Sequence, residues 1–435
     1  MGIDVSPRMI ERARANHPDL VFEAADAESF HVDEAFDYVV ASDLIGELGD
    51  INAMLECVQQ GSRPWTKLIL TFHSPTLEGM LRVAQRAGLS MAPVRQNWVG
   101  AQTARGLLAL CDMRVVQEQH SLLVPVPIPV VASTLNRLLA GRRAFKYFDL
   151  LNVVVAETVP DRPTPRRLRC SVIIPCRNEL GNVEPAVERM PDLGADAEII
   201  FVDGASTDGT KEKIEELIER YRGMKDIKLI LQMPEAQYAD DKDDPDAPTV
   251  MLKLGKGDAV RKGFDAATGD VLMILDADLT VPPEDLPRFL RPVATGKGRF
   301  INGTRLVYPM EAQAMKFVNY LGNWFFSVLF TWLLEQPIRD TLCGTKVLLK
   351  SDYEQIKAGR RHFGEFDPFG DFDLLFGAAR LGLQIVEVPV RYRRRLAGVS
   401  KVRVSQHGWL LVAMSLVAFR RLKLAKWTAR LRRTR

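Results

Sequence analysis

The sequence predicts an α/β protein of two domains, and three observations carry that prediction. Short β-rich apolar runs alternate with helical patterns along most of the chain. A stretch with three prolines and no periodicity, "ETVPDRPTPRRLR" (157–169), divides that alternation in two. Beyond it, three successive apolar runs end in polar, acid-bearing segments. "SVIIP" enters "CRNE", "AEIIFV" enters "DGASTDGT", and "GDVLMIL" enters "DADL". Acids just past buried runs mark the carboxyl edge of a parallel sheet, where ligands of such sheets gather.

Bulk properties narrow the function classes. A chain of 435 residues has room for two or three domains, each with its own core. The first thirty residues carry charges throughout and no apolar stretch of the kind that marks a signal peptide. Five cysteines (Cys57, Cys111, Cys170, Cys176, Cys343) are odd in number and form no CxxC. They fit reduced cytosolic thiols better than a disulfide framework or a zinc site. The net charge of +3 hides an asymmetry: residues 391–435 hold fourteen Lys/Arg and no Asp/Glu, which leaves the first 390 at −11. A basic tail on an acidic body suits an anionic surface. The acidic stretch 233–248 reads as a solvated loop.

The first segment opens on "MGIDVSPRMIERARANHPD", a strand end, a turn and a helix, with Ser6 as N-cap and Pro7 at the first helical position. Short apolar runs follow in "LVFEAADAESF", "FDYVVASDLIGEL", "WTKLILTF" and "LNVVVAETV", each read as a buried parallel strand. Asp4 and Asp26 stand where two such strands end. On these residues, positions 1–157 resemble class I S-adenosylmethionine-dependent methyltransferases, an incomplete Rossmann-like domain. The resemblance places Asp4 at the cofactor ribose and Asp26 near the adenine. It also implies a central first strand and a GxGxG loop before "GIDVS", and neither is present. The expectation is therefore a disrupted sheet beside the strand ending at Asp4, weak or no S-adenosylmethionine binding and no methyl transfer, unless translation starts upstream.

In the second segment Asp276 and Asp278 lie at i and i+2 where "VLMIL" ends. Extended backbone would put both carboxylates on one face. Such a pair can hold Mg²⁺ or Mn²⁺ while substrate phosphates complete the shell. With "GKGDAVRKGFDAATGD" upstream and "LTVPPEDL" downstream, the stretch from Cys170 to Lys401 resembles family 2 glycosyltransferases of GT-A fold. It is most similar to the dolichyl- and polyprenyl-phosphate sugar synthases. The resemblance implies nucleoside contacts from Pro175 and Glu179, base recognition by Asp203, and an approach of Lys256 to the diphosphate. Gly204 stands where many relatives have a second Asp. "NGTRL" and "DTLCGTK" resemble the sugar and acceptor-side motifs, which brings in Arg305, Asp340, Cys343, Gly344 and Lys346. "GDFDLLFGAARLG" places Asp371 and Asp373 on the pattern's two acids, in an acceptor-side or a helix-capping role. "EVPVRYRRRLAGVSK" resembles the RxxGxSK loop that clamps phosphates, which assigns Arg395, Ser400 and Lys401.

The remaining apolar stretches bear on the membrane. "FVNYLGNWFFSVLFTWLL" (317–334) is uncharged for eighteen residues, but Asn319, Asn323, Ser327 and Thr331 recur every four. That stripe fits a helix lying in an interface or docked on the domain. "GWLLVAMSLVAF" (408–419) is too short to span and leads into "RRLKLAKW", which fits peripheral attachment to the inner face of an anionic membrane.

The expected organisation is a methyltransferase-like domain (1–157), a linker (158–169), a GT-A domain (170–401) and a basic amphipathic segment (402–435). The expected function is metal-dependent transfer of a sugar from a nucleotide-diphospho-sugar to a polyprenyl-phosphate-type acceptor, without a nucleic-acid partner. A hydroxyl acceptor, with Asp371 or Asp373 as base, and a non-catalytic scaffold are the competing readings.

Overall fold

The computed structural model describes residues 1–31, 35–75, 97–121, 149–160, 162–194, 196–232, 255–308, 317–360, 370–395, 412 and 414–424. Of the side chains in these ranges, those of 317–324 and 371 are not described. The chain divides into two compact units, Met1–Pro163 with Val307–Pro309, and Thr164–Leu306 with Met310–Arg435.

In the first unit the order is β1 (Gly2–Asp4), α1 (Pro7–Asn16), β2 (Phe22–Ala24), β3 (Phe36–Ser42), α2 (Ile51–Gln60), β4 (Ser62–His73), α3 (Ala101–Leu110), β5 (Met113–Ser121) and β6 (Leu151–Thr158). Ser6 and Pro7 open α1 as expected, although the Ser6 side chain makes no capping bond. Asp50 does cap α2, accepting from the Ala53 N–H at 3.1 Å. The strands form two separate sheets, a parallel β1–β2 pair and a four-stranded sheet of order β3-β4-β6-β5.

Several expectations need correction here. β2, from "LVFEAADAESF", is parallel to β1 but not buried, and β4 buries only alternate residues from Thr66 to Phe72. The run read as a parallel strand in "LNVVVAETV" is β6, which pairs antiparallel with both β4 and β5. Only its alternate residues are buried (Asn152, Val154, Ala156, Thr158), the half-covered pattern of an antiparallel strand. β3 is not a buried strand either, since Tyr38 and Val40 are 64% and 65% exposed. It is an edge strand, paired with β4 alone among the described residues. β5, "MRVVQEQHS", was not anticipated because it is too polar to stand out as an apolar run.

The second unit runs β7 (Cys170–Cys176), α4 (Leu180–Glu188), β8 (Glu198–Asp203), α5 (Thr210–Arg220), β9 (Asp226–Leu231), α6 (Lys256–Ala266), β10 (Val271–Ile274), α7 (Leu286–Ala294), β11 (Phe300–Thr304), α8 (Phe317–Leu334), β12 (Lys346–Leu349), α9 (Lys350–Ala358), α10 (Asp371–Arg380) and β13 (Ile385–Pro389). A π-helical turn, Phe419–Leu424, follows. One seven-stranded sheet has the order β13-β11-β12-β10-β7-β8-β9. β10, β7, β8 and β9 are parallel, and β12 runs antiparallel between β10 and β11. β8 and β10 are buried along their whole length and β7 nearly so, which explains why "SVIIP", "EIIFV" and "VLMI" are continuous apolar runs. Helix α8 packs Phe326, Phe330, Leu333 and Leu334 into the core. No helix among the described residues is long and apolar enough to cross a membrane.

Candidate active site

The sheet order gathers the chemistry at one edge. β7 ends at Cys176, β8 at Asp203, β9 at Leu231, β10 just before Asp276, and β11 at Thr304, next to Arg305. β12, being antiparallel, begins at this edge with Lys346.

Asp276 and Asp278 come together, but not by strand alternation. β10 stops at Ile274, and the two acids lie in a tight turn closed by the Leu279 N–H on the Asp276 carbonyl (3.1 Å), with Leu279 at φ 51°. The Asp278 Oδ1 accepts from the Thr280 N–H and hydroxyl (3.1 and 2.8 Å), which fixes its rotamer. Each carboxylate then faces its own cation: Lys256 Nζ is 2.5 Å from Asp276 Oδ1, and an Arg395 nitrogen is 2.7 Å from Asp278 Oδ2. Burial works against the charge on Asp276. Lys256, Lys346 and Arg305 nevertheless hold its carboxyl below the ordinary range.

Lys256 opens α6, and its neighbour Gly257 lies against the start of α10. A side chain on Gly370, which has φ +74°, would place its Cβ 2.8 Å from the Gly257 Cα. The backbone of Asp371, first residue of α10, therefore stands beside the "GKG" turn. Asp373 is turned elsewhere: it is 7% exposed and pairs with Arg360 Nε at 2.7 Å. That engagement favours a structural role for Asp373 over the acceptor-side role.

The "NGTRL" and "DTLCGTK" segments meet as a locked pair. Arg305 Nε and Nη2 fork onto the two oxygens of Asp340 at 2.6 and 2.8 Å, and Arg305 also lies over the Tyr392 ring at 5.1 Å. Asp340 is fully buried and accepts further from the Arg305 and Leu342 N–H groups. Burial opposes both charges, yet Arg305 holds Asp340 low and Asp340 holds Arg305 high. Cys343 is also buried, and burial pushes its thiol up to about 12, so it packs as a neutral group. Its carbonyl accepts from Lys346 Nζ at 2.5 Å. Gly344 is the point of closest approach: a Cβ there would fall 2.1 Å from Asp276 Oδ2 and 2.5 Å from Lys256 Nζ.

On the nucleoside side, Asp203 is 3% exposed and accepts from the Ser206 N–H (3.1 Å) and hydroxyl. Glu179 accepts from Asn182 Nδ2 at 2.6 Å, and Pro175 is half-buried at the end of β7. Asp208 forms a local turn with Thr210 and accepts from the Leu180 N–H. The sequence reading missed Gln232. Its N–H bonds the Asp203 carbonyl (2.8 Å), and its Nε2 bonds the Gly255 carbonyl (3.0 Å) and Asp258 (2.8 Å). Its Oε1 lies 3.1 Å from where a Cβ on Gly204 would be, so it fills the space an acid at 204 would need. Its place directly after the apolar run "IKLIL" puts it at the sheet edge, but nothing local points to its partners.

Of the remaining assigned residues, Arg395 reaches the site because the segment after β13 bonds the acidic turn, Arg393 N–H to Thr280 carbonyl at 2.9 Å. Ser400 and Lys401 lie outside the described residues. Asp4 and Asp26, in the first unit, accept from the N–H groups of Ser6 and Glu28, as short polar residues do in turns. A groove of about 810 Å³ opens at the opposite end of β8 and β9, lined by Met190, Leu193 and Lys225 among others. It contains none of the assigned residues.

An open α/β sheet with acids and cations gathered at its carboxyl edge is the arrangement in which such sheets bind their ligands. Residues 171–232 and 242–353, within the second unit, match the profile of glycosyl transferase family 2. The chain is 29% identical over 244 residues to the dolichol-phosphate mannosyltransferase of Pyrococcus furiosus, covering 54% of this chain and 60% of that protein. It is 27% identical over 252 residues to the undecaprenyl-phosphate mannosyltransferase of Micrococcus luteus, covering 54% and 88%. A solved mannosyltransferase from Pyrobaculum calidifontis, in complex with GDP-mannose and Mn²⁺, is similar at 18% identity and a TM-score of 0.35, over 52% of this chain and 57% of that one.

Proposed function

We propose that this protein transfers a sugar, mannose being the first candidate, from a nucleotide-diphospho-sugar to a polyprenyl-phosphate-type acceptor. The observation that carries the reading is the pairing of Asp276 and Asp278 with Lys256 and Arg395 at the carboxyl edge. The names of the relatives, dolichol-phosphate and undecaprenyl-phosphate mannosyltransferase, supply the acceptor class.

The donor set fits a divalent cation, Mg²⁺ or Mn²⁺. Asp276 and Asp278 offer hard oxygen ligands, and the absence of a Cβ at Gly344 lets its backbone approach Asp276 Oδ2 closely. Bound there, the cation would offset the charge of the departing nucleoside diphosphate. Asp276 and Asp278 would hold it, while Lys256 and Arg395 would turn to the phosphates, Arg as a fork and Lys as a point charge. The acceptor oxygen attacks the anomeric carbon in line as the diphosphate leaves. A phosphate monoester, with a second pKa of about 6, is already largely dianionic at neutral pH and needs positioning more than a base. The engagement of Asp373 by Arg360 agrees with that mechanism.

The membrane reading has support in the second unit. Helix α8 exposes Phe325, Val328 and Trp332, while the Ser327 and Thr331 hydroxyls bond the Ile338 carbonyl. Trp332 stacks on Phe419, with Lys423 5.3 Å from its ring. An apolar stripe beside Arg420, Arg421 and Lys423 suits attachment to an anionic leaflet. For residues 1–157 the methyltransferase-like reading rests on the sequence alone, and methyl transfer is not proposed.

The test is a panel of nucleotide sugars, including GDP-mannose and UDP-glucose, supplied with a polyprenyl phosphate and Mg²⁺ or Mn²⁺. A lipid-linked sugar product is expected. Transfer to hydroxyl acceptors alone would replace the acceptor assignment.

A further inference from the structure

Glu387, in β13, belongs to no assigned motif role, yet it sits under the segment that closes the site. Its Oε1 accepts from the N–H groups of Arg339 and Asp340 at 2.8 and 3.2 Å. Its register partner on β11 is Asn302, whose Nδ2 bonds the Asp340 carbonyl at 2.8 Å and approaches the same Oε1 at 3.4 Å. The Asn302 Oδ1 is buried and has no hydrogen-bond partner among the described residues. Gln336 ties the same segment to β13 by bonding the Ile385 N–H and the Leu383 carbonyl. The segment is thus laid along β13 and β11 by side chains, and Glu387 is the titratable one that grips its backbone.

We propose that Glu387 is a positioning residue that acts as a neutral acid: its carbonyl oxygen holds the Arg339 and Asp340 N–H groups, and its proton is directed to the orphaned Asn302 oxygen. In this way it sets the segment whose later residue, Gly344, abuts the Asp276–Lys256 pair. Burial favours the neutral form, while the nearest charges oppose one another. Asp340, itself paired with Arg305, is a like-charged neighbour for an ionised Glu387. Arg339, from the same segment, is the facing cation and favours the ionised form. Burial lifts the Glu387 carboxyl to about 7, against the pull of the two N–H groups and Arg339.

The sign of the pH effect follows. With the segment seated the group titrates at about 7, and with the segment open it would titrate near the ordinary glutamate value of about 4.3. The seated form therefore holds the proton more tightly, and seating weakens as pH rises through that window. Donor binding would weaken in the same direction. The inference itself needs no substrate.

The experiment is hydrogen exchange on the full chain, read as protection of the 336–345 amides after correction for intrinsic rates. In the unsubstituted protein that protection should fall by about tenfold or more between pH 5 and pH 8. Glu387→Gln, which keeps a carbonyl acceptor and an N–H donor, should keep the low-pH protection across the range. Glu387→Ala should lose it at every pH, while the β7 and β8 amides stay protected. Flat protection in the unsubstituted chain, or a Glu387→Gln variant that exchanges faster at pH 5, would overturn the inference. Should Glu387→Ala not fold, the Glu387→Gln comparison still decides.

Discussion

Lys256 Nζ lies 2.5 Å from Asp276 Oδ1, and Arg395 holds Asp278 in the same way at 2.7 Å. The two carboxylates that would bind a cation are each covered by a cation from the protein. Both pairs are partly shielded from solvent. Binding of metal and diphosphate then becomes an exchange of partners: carboxylate to metal, Lys and Arg to phosphate. Charge is balanced before and after, which keeps four partly buried charges from standing alone at any stage.

Exchange predicts opposite effects from the two sides. Asp276→Asn should reduce sugar transfer by about a thousandfold, since an electrostatic contact at the reacting charge is typically worth that much, and EDTA should mimic it. Arg395→Gln should tighten binding of Mn²⁺ alone by about fivefold, as a competitor worth roughly 1 kcal/mol is removed. The same variant should raise KM for the nucleotide sugar. Calorimetry with Mn²⁺ checks the first quantity and steady-state kinetics the second. Full turnover in chelator would rule out the metal assignment.

How much of this was legible in the sequence follows the physics of each contact. The three strand ends carrying Pro175, Asp203 and Asp276 were readable because buried parallel strands are continuous apolar runs. The geometry of the Asp276–Asp278 pair was not, because a turn stabilised by Thr280 replaces the extended backbone assumed from i, i+2 spacing. Gln232 and Glu387 were passed over for another reason. Their work is done on backbone groups distant in sequence (Gly255 for one, Arg339 and Asp340 for the other), and no local pattern announces such a partner. β5 and β6 were misjudged because half-buried strands mix polar and apolar residues.

Gly344 tests the closeness of the acceptor-side segment to the acids. A Cβ at that position would stand 2.1 Å from Asp276 Oδ2, and the neighbouring Lys256 leaves no room to retreat. Gly344→Ala should therefore cost donor affinity, raising KM for the nucleotide sugar by about tenfold or more, an effect of at least ~1.4 kcal/mol. A KM unchanged within twofold would show that the segment sits further from Asp276 than 2.1 Å implies.

Arg305 and Asp340 form a buried, bidentate pair, so removing one partner leaves the other charged and desolvated. Asp340→Ala should destabilise the second unit by about 3–5 kcal/mol in denaturant unfolding. Replacing both residues with apolar ones should cost less than the single change. In acid the effect has a defined sign. The folded Asp340 carboxyl titrates below its ordinary value, so its stabilisation is present above that value and is lost as pH falls through the lowered one.

The exposed stripe on α8 can be separated from the basic residues near it. Phe325, Val328 and Trp332 are each more than half exposed, and Trp332 is a natural fluorescent reporter. If this face meets a bilayer, vesicles containing anionic lipid should shift the Trp332 emission to the blue, and Trp332→Phe should remove most of the shift. Exposed charges farther apart than the Debye length, about 8 Å at physiological ionic strength, are largely screened, and that length shrinks as salt rises. Co-sedimentation should accordingly weaken as salt rises, with substitution of Arg420, Arg421 and Lys423 by Gln removing the salt-dependent part. Phe325→Ser with Val328→Ser should instead remove the part that survives in salt, because that portion follows buried apolar area. Binding unaffected by both sets of substitutions would place the membrane contact elsewhere in the chain.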